Sequence, residues 1–268
     1  MTTLIAWLGV DERQPASIYI ATDSRISWGN SHSWDVGQKI FSALTKPELF
    51  AFCGDVIYPQ AILPRICSLI DEDNFFAPNS GYDAKLNQLF DYVQRTFSSY
   101  PLKGKFTILY ISREHDGMAA TFHAGKISWD SQVGFEMNVL MLPSESELIV
   151  ATGTGKLAMD NKSFLWQNSD AQGTSRSVFS AFCDALASGA DQFSGGAPQL
   201  AGLYRIGASK QFGIIWNEIP YINGVEAAHH QLNDLREWRN NLFERCSPDT
   251  LTVIANAQKH PRPLSIRS

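Results

Sequence analysis

"TTLIAWLGVDERQPASIYIATDSR", residues 2–25, is the stretch on which the fold depends. Two apolar runs, "TTLIAWLG" (2–9) and "SIYIATD" (17–23), flank a polar, proline-containing turn, the pattern of paired strands. The first run begins at residue 2, where most chains fray. A core strand there, opening on threonine, asks for a chemical reason.

Outward from this pair the chain alternates in blocks. "KIFSAL" (39–44) and "ELFAFCG" (48–54) read as a hairpin around Lys46-Pro47-Glu48. Helices are expected over 58–72 and 81–98, the second with Leu86, Leu89, Phe90, Val93 and Phe97 at helical spacing. Strands return near 105–112, 117–123, 136–142 and 147–152, then helices near 155–167 and 174–188. Strands near 200–206 and 212–217, a polar helix near 225–245 and a short strand near 250–255 complete the pattern. Blocks of strands followed by helix pairs argue against a doubly wound parallel sheet and for an α+β fold, two sheets packed face to face and covered by helices. The basic, proline-containing end "AQKHPRPLSIRS" is expected to be loose.

Composition narrows the function. The 268 residues are 44% hydrophobic and 18% charged, with a formal net charge of −5, so a basic nucleic-acid or anionic-membrane surface is not expected. The four cysteines, Cys53, Cys67, Cys183 and Cys246, have no metal-ligand spacing, and three sit in apolar contexts that suit small buried hydrophobes. No signal peptide or apolar run of membrane-spanning length is read, so a cytoplasmic setting and no cofactor or metal are expected.

A terminal threonine carries its own base. Its hydroxyl needs a proton acceptor before it attacks, and a free α-amine, with a reference pKa of about 7.7–8.0, is partly neutral near pH 7. Loss of Met1 would expose Thr2 in this state; the bland reading is an ordinary processed terminus. Asp23, in "ATDSRISWG", is either a turn initiator or a carboxylate that orients a cation. Lys39, sixteen residues later, is either a solvated strand-end lysine or a buried charge beside a nucleophile. Gly54 ends an apolar strand before a helix, where it makes a turn or offers an N–H to an oxyanion. Thr154, in "ATGTGKLA", is a helix cap or a proton partner, and Asp191 and Ser194, in "DQFSGG", are a polar loop or part of a site.

In this order, Thr2-Thr3, "TDSRISWG", Lys39, Gly54, "GTG" and "DQFSGG" resemble the proteasome β-subunit family and its HslV-type and Anbu-like relatives, among the N-terminal-nucleophile hydrolases. The resemblance covers roughly residues 2–225 and implies a four-layer αββα sandwich. It implies Thr2 as nucleophile, Asp23 and Lys39 as its activating pair, Gly54 as oxyanion donor, and Thr154, Asp191 and Ser194 as the group that holds the Thr2 amine. Ser27, with Ile26, Gly37, Phe41 and Phe52, would line the substrate side, giving an uncharged specificity wall. Thr3 is expected to matter little.

Departures are a longer first hairpin, "DERQPAS", Thr154 in place of the usual serine, an extension after "GKISWDSQ", and residues 226–268, expected as a helical extension packed on the 1–225 domain. The implied activity is a threonine peptidase acting on peptides or unfolded protein, in a homo-oligomer, with an ATPase or activator partner unidentified. A small-amide amidohydrolase and a non-catalytic ring subunit are the alternatives.

Overall fold

The computed structural model describes residues 2–29, 31–232 and 236–266. Its first sheet has the order β10-β1-β2-β11-β12, with β1 (Thr3–Val10), β2 (Pro15–Thr22), β10 (Leu148–Gly153), β11 (Gln199–Tyr204) and β12 (Lys210–Gln211). The second runs β5-β6-β7-β8-β9, with β5 (Ile40–Ser42), β6 (Glu48–Gly54), β7 (Phe106–Glu114), β8 (Thr121–Asp130) and β9 (Gly134–Leu140). The helices are α1 (Ile57–Asp71), α2 (Tyr82–Ser98), α3 (Lys156–Gln167) and α4 (Ser175–Ala187). A small ribbon, β3 (Ile26–Trp28) with β4 (His32–Trp34), follows Asp23.

Strand periodicity explains why these runs are apolar throughout. Alternate side chains point to opposite faces, and both faces are covered. Leu4, Ala6 and Leu8 of β1 join Ile18 and Ile20 of β2, Leu49 and Ala51 of β6, and Leu109 and Ile111 of β7 in one cluster shared by the two sheets. The intervening residues face helices. Ile5, Trp7 and Tyr19 pack with Met159 and Trp166 of α3 and Phe179 and Phe182 of α4. Phe50, Phe52, Phe106, Ile108 and Tyr110 pack with Leu63 and Ile66 of α1 and Leu86 and Val93 of α2.

Helices α1 to α4 start and stop within two residues of the expected ranges. The strand expected over 117–123 lies later: residues 117–119 form a single 3-10 turn, and β8 pairs with β9 around a turn in which Asp130 Oδ1 accepts from Gln132 N at 2.8 Å. "GKISWDSQ" thus opens a hairpin.

The polar helix expected over 225–245 does not form among the described residues; 233–235 lie outside them. Instead a third sheet, β15-β14-β13-β16-β17, comprises β13 (Gly213–Trp216), β14 (Ile219–Ile222), β15 (Val225–Glu226), β16 (Trp238–Asn240) and β17 (Arg245–Cys246). Local chemistry decides against the helix. Asn240 Oδ1 accepts from the backbone N–H of Leu242 and Glu244, both at 3.0 Å, and Phe243 sits at φ +62°, so the chain turns back. Trp238 lies against Gly213, where an added Cβ would fall 2.3 Å from the indole. The strand expected near 250–255 reduces to one bridge, Cys246 to Val253. The end expected to be loose is docked through residue 266: Arg262 donates from NH1 to Asp184 Oδ2 at 2.7 Å and lies over the Trp166 ring. All four cysteines are free and buried. Among the described residues, no helix is long and apolar enough to cross a membrane.

Trp7 ties these parts together. It is fully buried, stacks on Tyr19 at 4.9 Å and meets Phe179 of α4 and Phe243 of the C-terminal segment. Trp7→Ala should cost about 3–5 kcal/mol, read as a fall in the urea midpoint, and should loosen the C-terminal segment to proteolysis.

Candidate active site

The Thr2–Thr3 end of β1 is gripped by the turn between β10 and α3. A Cβ on Gly153 would lie 1.9 Å from the Thr2 carbonyl oxygen, and one on Gly155 would lie 1.7 Å from Thr3 Oγ1. Only glycine allows so close an approach, and φ of +93° at Gly153 adds a second reason there. The two glycines thereby deliver Thr154 to the Thr2 nitrogen, which donates to Thr154 Oγ1 at 3.2 Å.

From Thr154 a hydroxyl chain continues. Thr154 Oγ1 donates to Asp191 Oδ2 at 2.6 Å, and Ser194 Oγ donates to the same oxygen at 2.7 Å. Thr3 Oγ1 and Ser194 Oγ are 2.8 Å apart.

On the other side of Thr2 lies a buried ion pair. Lys39, just before β5, donates from Nζ to Thr2 Oγ1 at 2.7 Å and to Asp23 Oδ1 at 2.9 Å. Asp23, at the end of β2, also accepts from the backbone N–H of Thr3, Arg25 and Gly195, each at 3.0 Å. Neither side chain is more than 1% exposed. Burial pushes the Lys39 ammonium below its usual value, against the opposing pull of the Asp23 carboxylate.

Six of the seven residues singled out as catalytic candidates thus share one continuous hydrogen-bonded group: Thr2, Asp23, Lys39, Thr154, Asp191 and Ser194. Gly54, the seventh, ends β6 at φ +98° and borders the same cavity as Gly153 and Thr154. The substrate-side candidates are placed differently. Phe41 and Phe52 stack at 6.4 Å within the cluster under α1 and α2. Ile26 covers Gly37, where a Cβ would fall 2.4 Å from Cδ1, and both are buried. Ser27 sits half-buried in β3. This wall is packed shut.

Three further contributors had no role assigned from the sequence, Thr3 being expected to matter little. Thr3 adds its hydroxyl to the chain at Ser194. Gln199, at the start of β11, accepts from Lys39 N at 3.0 Å and donates to Gly37 O at 2.7 Å, so it fixes the backbone that carries the lysine. Arg25 forks onto Asp35 at 2.7 and 2.8 Å and donates to Gln192 O at 3.0 Å, joining the β3–β4 ribbon to the 191–196 loop. A glutamine heading the apolar run "QLAGL" was a usable signal for the second; the Arg25–Asp35 fork had none beyond the arginine of "DSR".

No protein-family model matches the sequence, and no curated protein does. Among solved structures the chain is similar to eukaryotic HslV from Trypanosoma brucei. That match has 14% identity and a TM-score of 0.45, over 75% of this chain and 99% of that one.

The ion pair has an asymmetry that can be measured. In Lys39→Met, Asp23 keeps its three backbone donors. In Asp23→Asn, the lysine stays buried with its charge uncompensated, and the new amide, whichever way it turns, meets donors on both sides. Asp23→Asn should therefore cost about 3–5 kcal/mol, and Lys39→Met clearly less, in equilibrium denaturation. Equal losses would mean that the backbone donors do not hold Asp23.

Proposed function

We propose that this chain is a threonine peptidase of the N-terminal-nucleophile class with a four-layer αββα body. Hydrolysis of the Met1–Thr2 bond would free the Thr2 α-amine. The observation that carries this reading is the two-sided hold on Thr2: Lys39 Nζ on its Oγ1 at 2.7 Å and Thr154 Oγ1 on its nitrogen at 3.2 Å.

In the proposed cycle the neutral α-amine takes the Oγ proton and the oxygen attacks a peptide carbonyl. The Lys39 ammonium stabilises the developing alkoxide at short range in a buried setting, where such an interaction is far stronger than in water. The tetrahedral oxyanion is assigned to the Gly54 N–H. The α-ammonium returns its proton to the leaving nitrogen, the C–N bond breaks, and an ester to Thr2 remains. Water, deprotonated by the same amine, then releases the acid and restores Oγ–H. Thr154, Asp191 and Ser194 orient the amine so that its lone pair faces Oγ.

The motif resemblance supports the finer parts of this reading: peptides or unfolded protein as substrate, assembly with copies of itself, and a cytoplasmic setting. A buried lysine aimed at a hydroxyl has no evident purpose in a subunit that only builds a ring, which argues against that alternative.

Two experiments test the mechanism. Lys39→Ala should remain folded and lose activity by several kcal/mol of transition-state stabilisation, about a thousandfold or more; near-native turnover would refute its role. A bulky residue inserted between Met1 and Thr2, which blocks methionine removal, should lower activity by orders of magnitude although the hydroxyl persists, as expected for loss of a general base. Thr2→Ala should be equally inactive and Thr2→Ser partly active. Full activity of the blocked chain would exclude the amine as base.

A further inference from the structure

The wall expected to read the substrate side chain is filled by its own residues, yet the site does have an open neighbour. A cavity of about 570 Å³, within the range of ligand sites, lies between the ends of β6 and β7 and the start of α3. Gly54, Gly153 and Thr154 form its boundary with the catalytic group. Its lining also includes Cys53, Phe106, Thr107 and Thr152.

Charge distinguishes it. Lys105 and Lys156 line the cavity and, among the described residues, no acidic residue does, in a chain where Asp and Glu outnumber Lys and Arg by 27 to 22. Both lysines pair with carboxylates outside the lining, Lys105 with Asp130 and Lys156 with Asp160. Their side chains are 73% and 55% exposed, and ion pairs at that exposure are weak, so an ammonium can turn to a ligand at little cost.

We propose that this cavity is the side-chain subsite of the enzyme and that it selects an acidic side chain next to the scissile carbonyl. The apolar part of the lining takes the methylene stem, and Lys105 and Lys156 take the carboxylate. This inference rests on Thr2 being the nucleophile, and it replaces the uncharged specificity expected from sequence.

The test compares two threonine-directed peptide electrophiles that differ only in Glu or Gln beside the reactive carbonyl. Thr2 labelling is followed by intact mass on the full-length processed chain. The Glu probe should label faster, each lysine contributing a few-fold and the two about tenfold together, and the advantage should shrink with added salt. Lys105→Gln combined with Lys156→Gln should erase the advantage of the Glu probe over the Gln probe. Equal rates in the native chain, or an advantage that survives the double substitution, would overturn the subsite while leaving Thr2 as nucleophile. Absence of any Thr2 adduct with either probe would remove the nucleophile assignment, and the subsite with it.

Discussion

The Asp23 carboxylate is the constraint on which the other parts depend. A buried charge is tolerated only when its lone pairs are used. Asp23 uses its own on Lys39 and on three backbone N–H groups, from Thr3, Arg25 and Gly195. Those donors belong to three separate parts of the chain: the start of β1, the entry to the β3–β4 ribbon and the loop after α4. One side chain therefore sets the relative position of the threonine, the lysine and the loop that carries Ser194. Its cation is expensive to bury, and among the described residues Asp23 is the carboxylate that Lys39 bonds. The pair is better understood as a device for holding a polarised lysine at a hydroxyl than as a source of stability.

Glycine plays the complementary part. Where Asp23 pulls segments together by hydrogen bonding, Gly153 and Gly155 let the chain meet the Thr2 carbonyl and the Thr3 hydroxyl at distances that any side chain would forbid. Thr154 reaches the Thr2 nitrogen because its neighbours have no Cβ. The spacing of "GTG" is thus dictated by contact with a strand about 150 residues earlier, at Thr2 and Thr3.

Much of this was legible in the residues. Strand and helix blocks up to about residue 217 followed apolar periodicity, because the central strands of both sheets are covered on both faces and α1 and α2 bury one face each. The candidate cluster was legible from the order of its motifs along the chain; singly, each member, at a strand end or strand-to-helix turn, also had a structural reading as a cap, turn or loop residue. The C-terminal segment was misjudged for a physical reason: "DLREWRNNLFERC" has helical composition, but Asn240 bonds the backbone ahead of it and Trp238 finds a long-range partner at Gly213. For the expected specificity wall, residue type does not report whether side chains line a space or fill it. Phe41 and Phe52 fill it.

The distribution of the site along the chain also bears on the order in which it arises. Synthesis delivers Thr2, Asp23 and Lys39 within the first forty residues, whereas Thr154, Asp191 and Ser194 follow more than a hundred residues later. β2 follows β1 directly in the chain, whereas β10, the other neighbour of β1, is made only after the intervening sheet and its helices. Long-range pairings of this kind form late in folding. On the proposed mechanism, a partly made chain thus carries the hydroxyl and its lysine without the group that would orient the amine, and the chemistry would be withheld from the nascent chain until the fold closes.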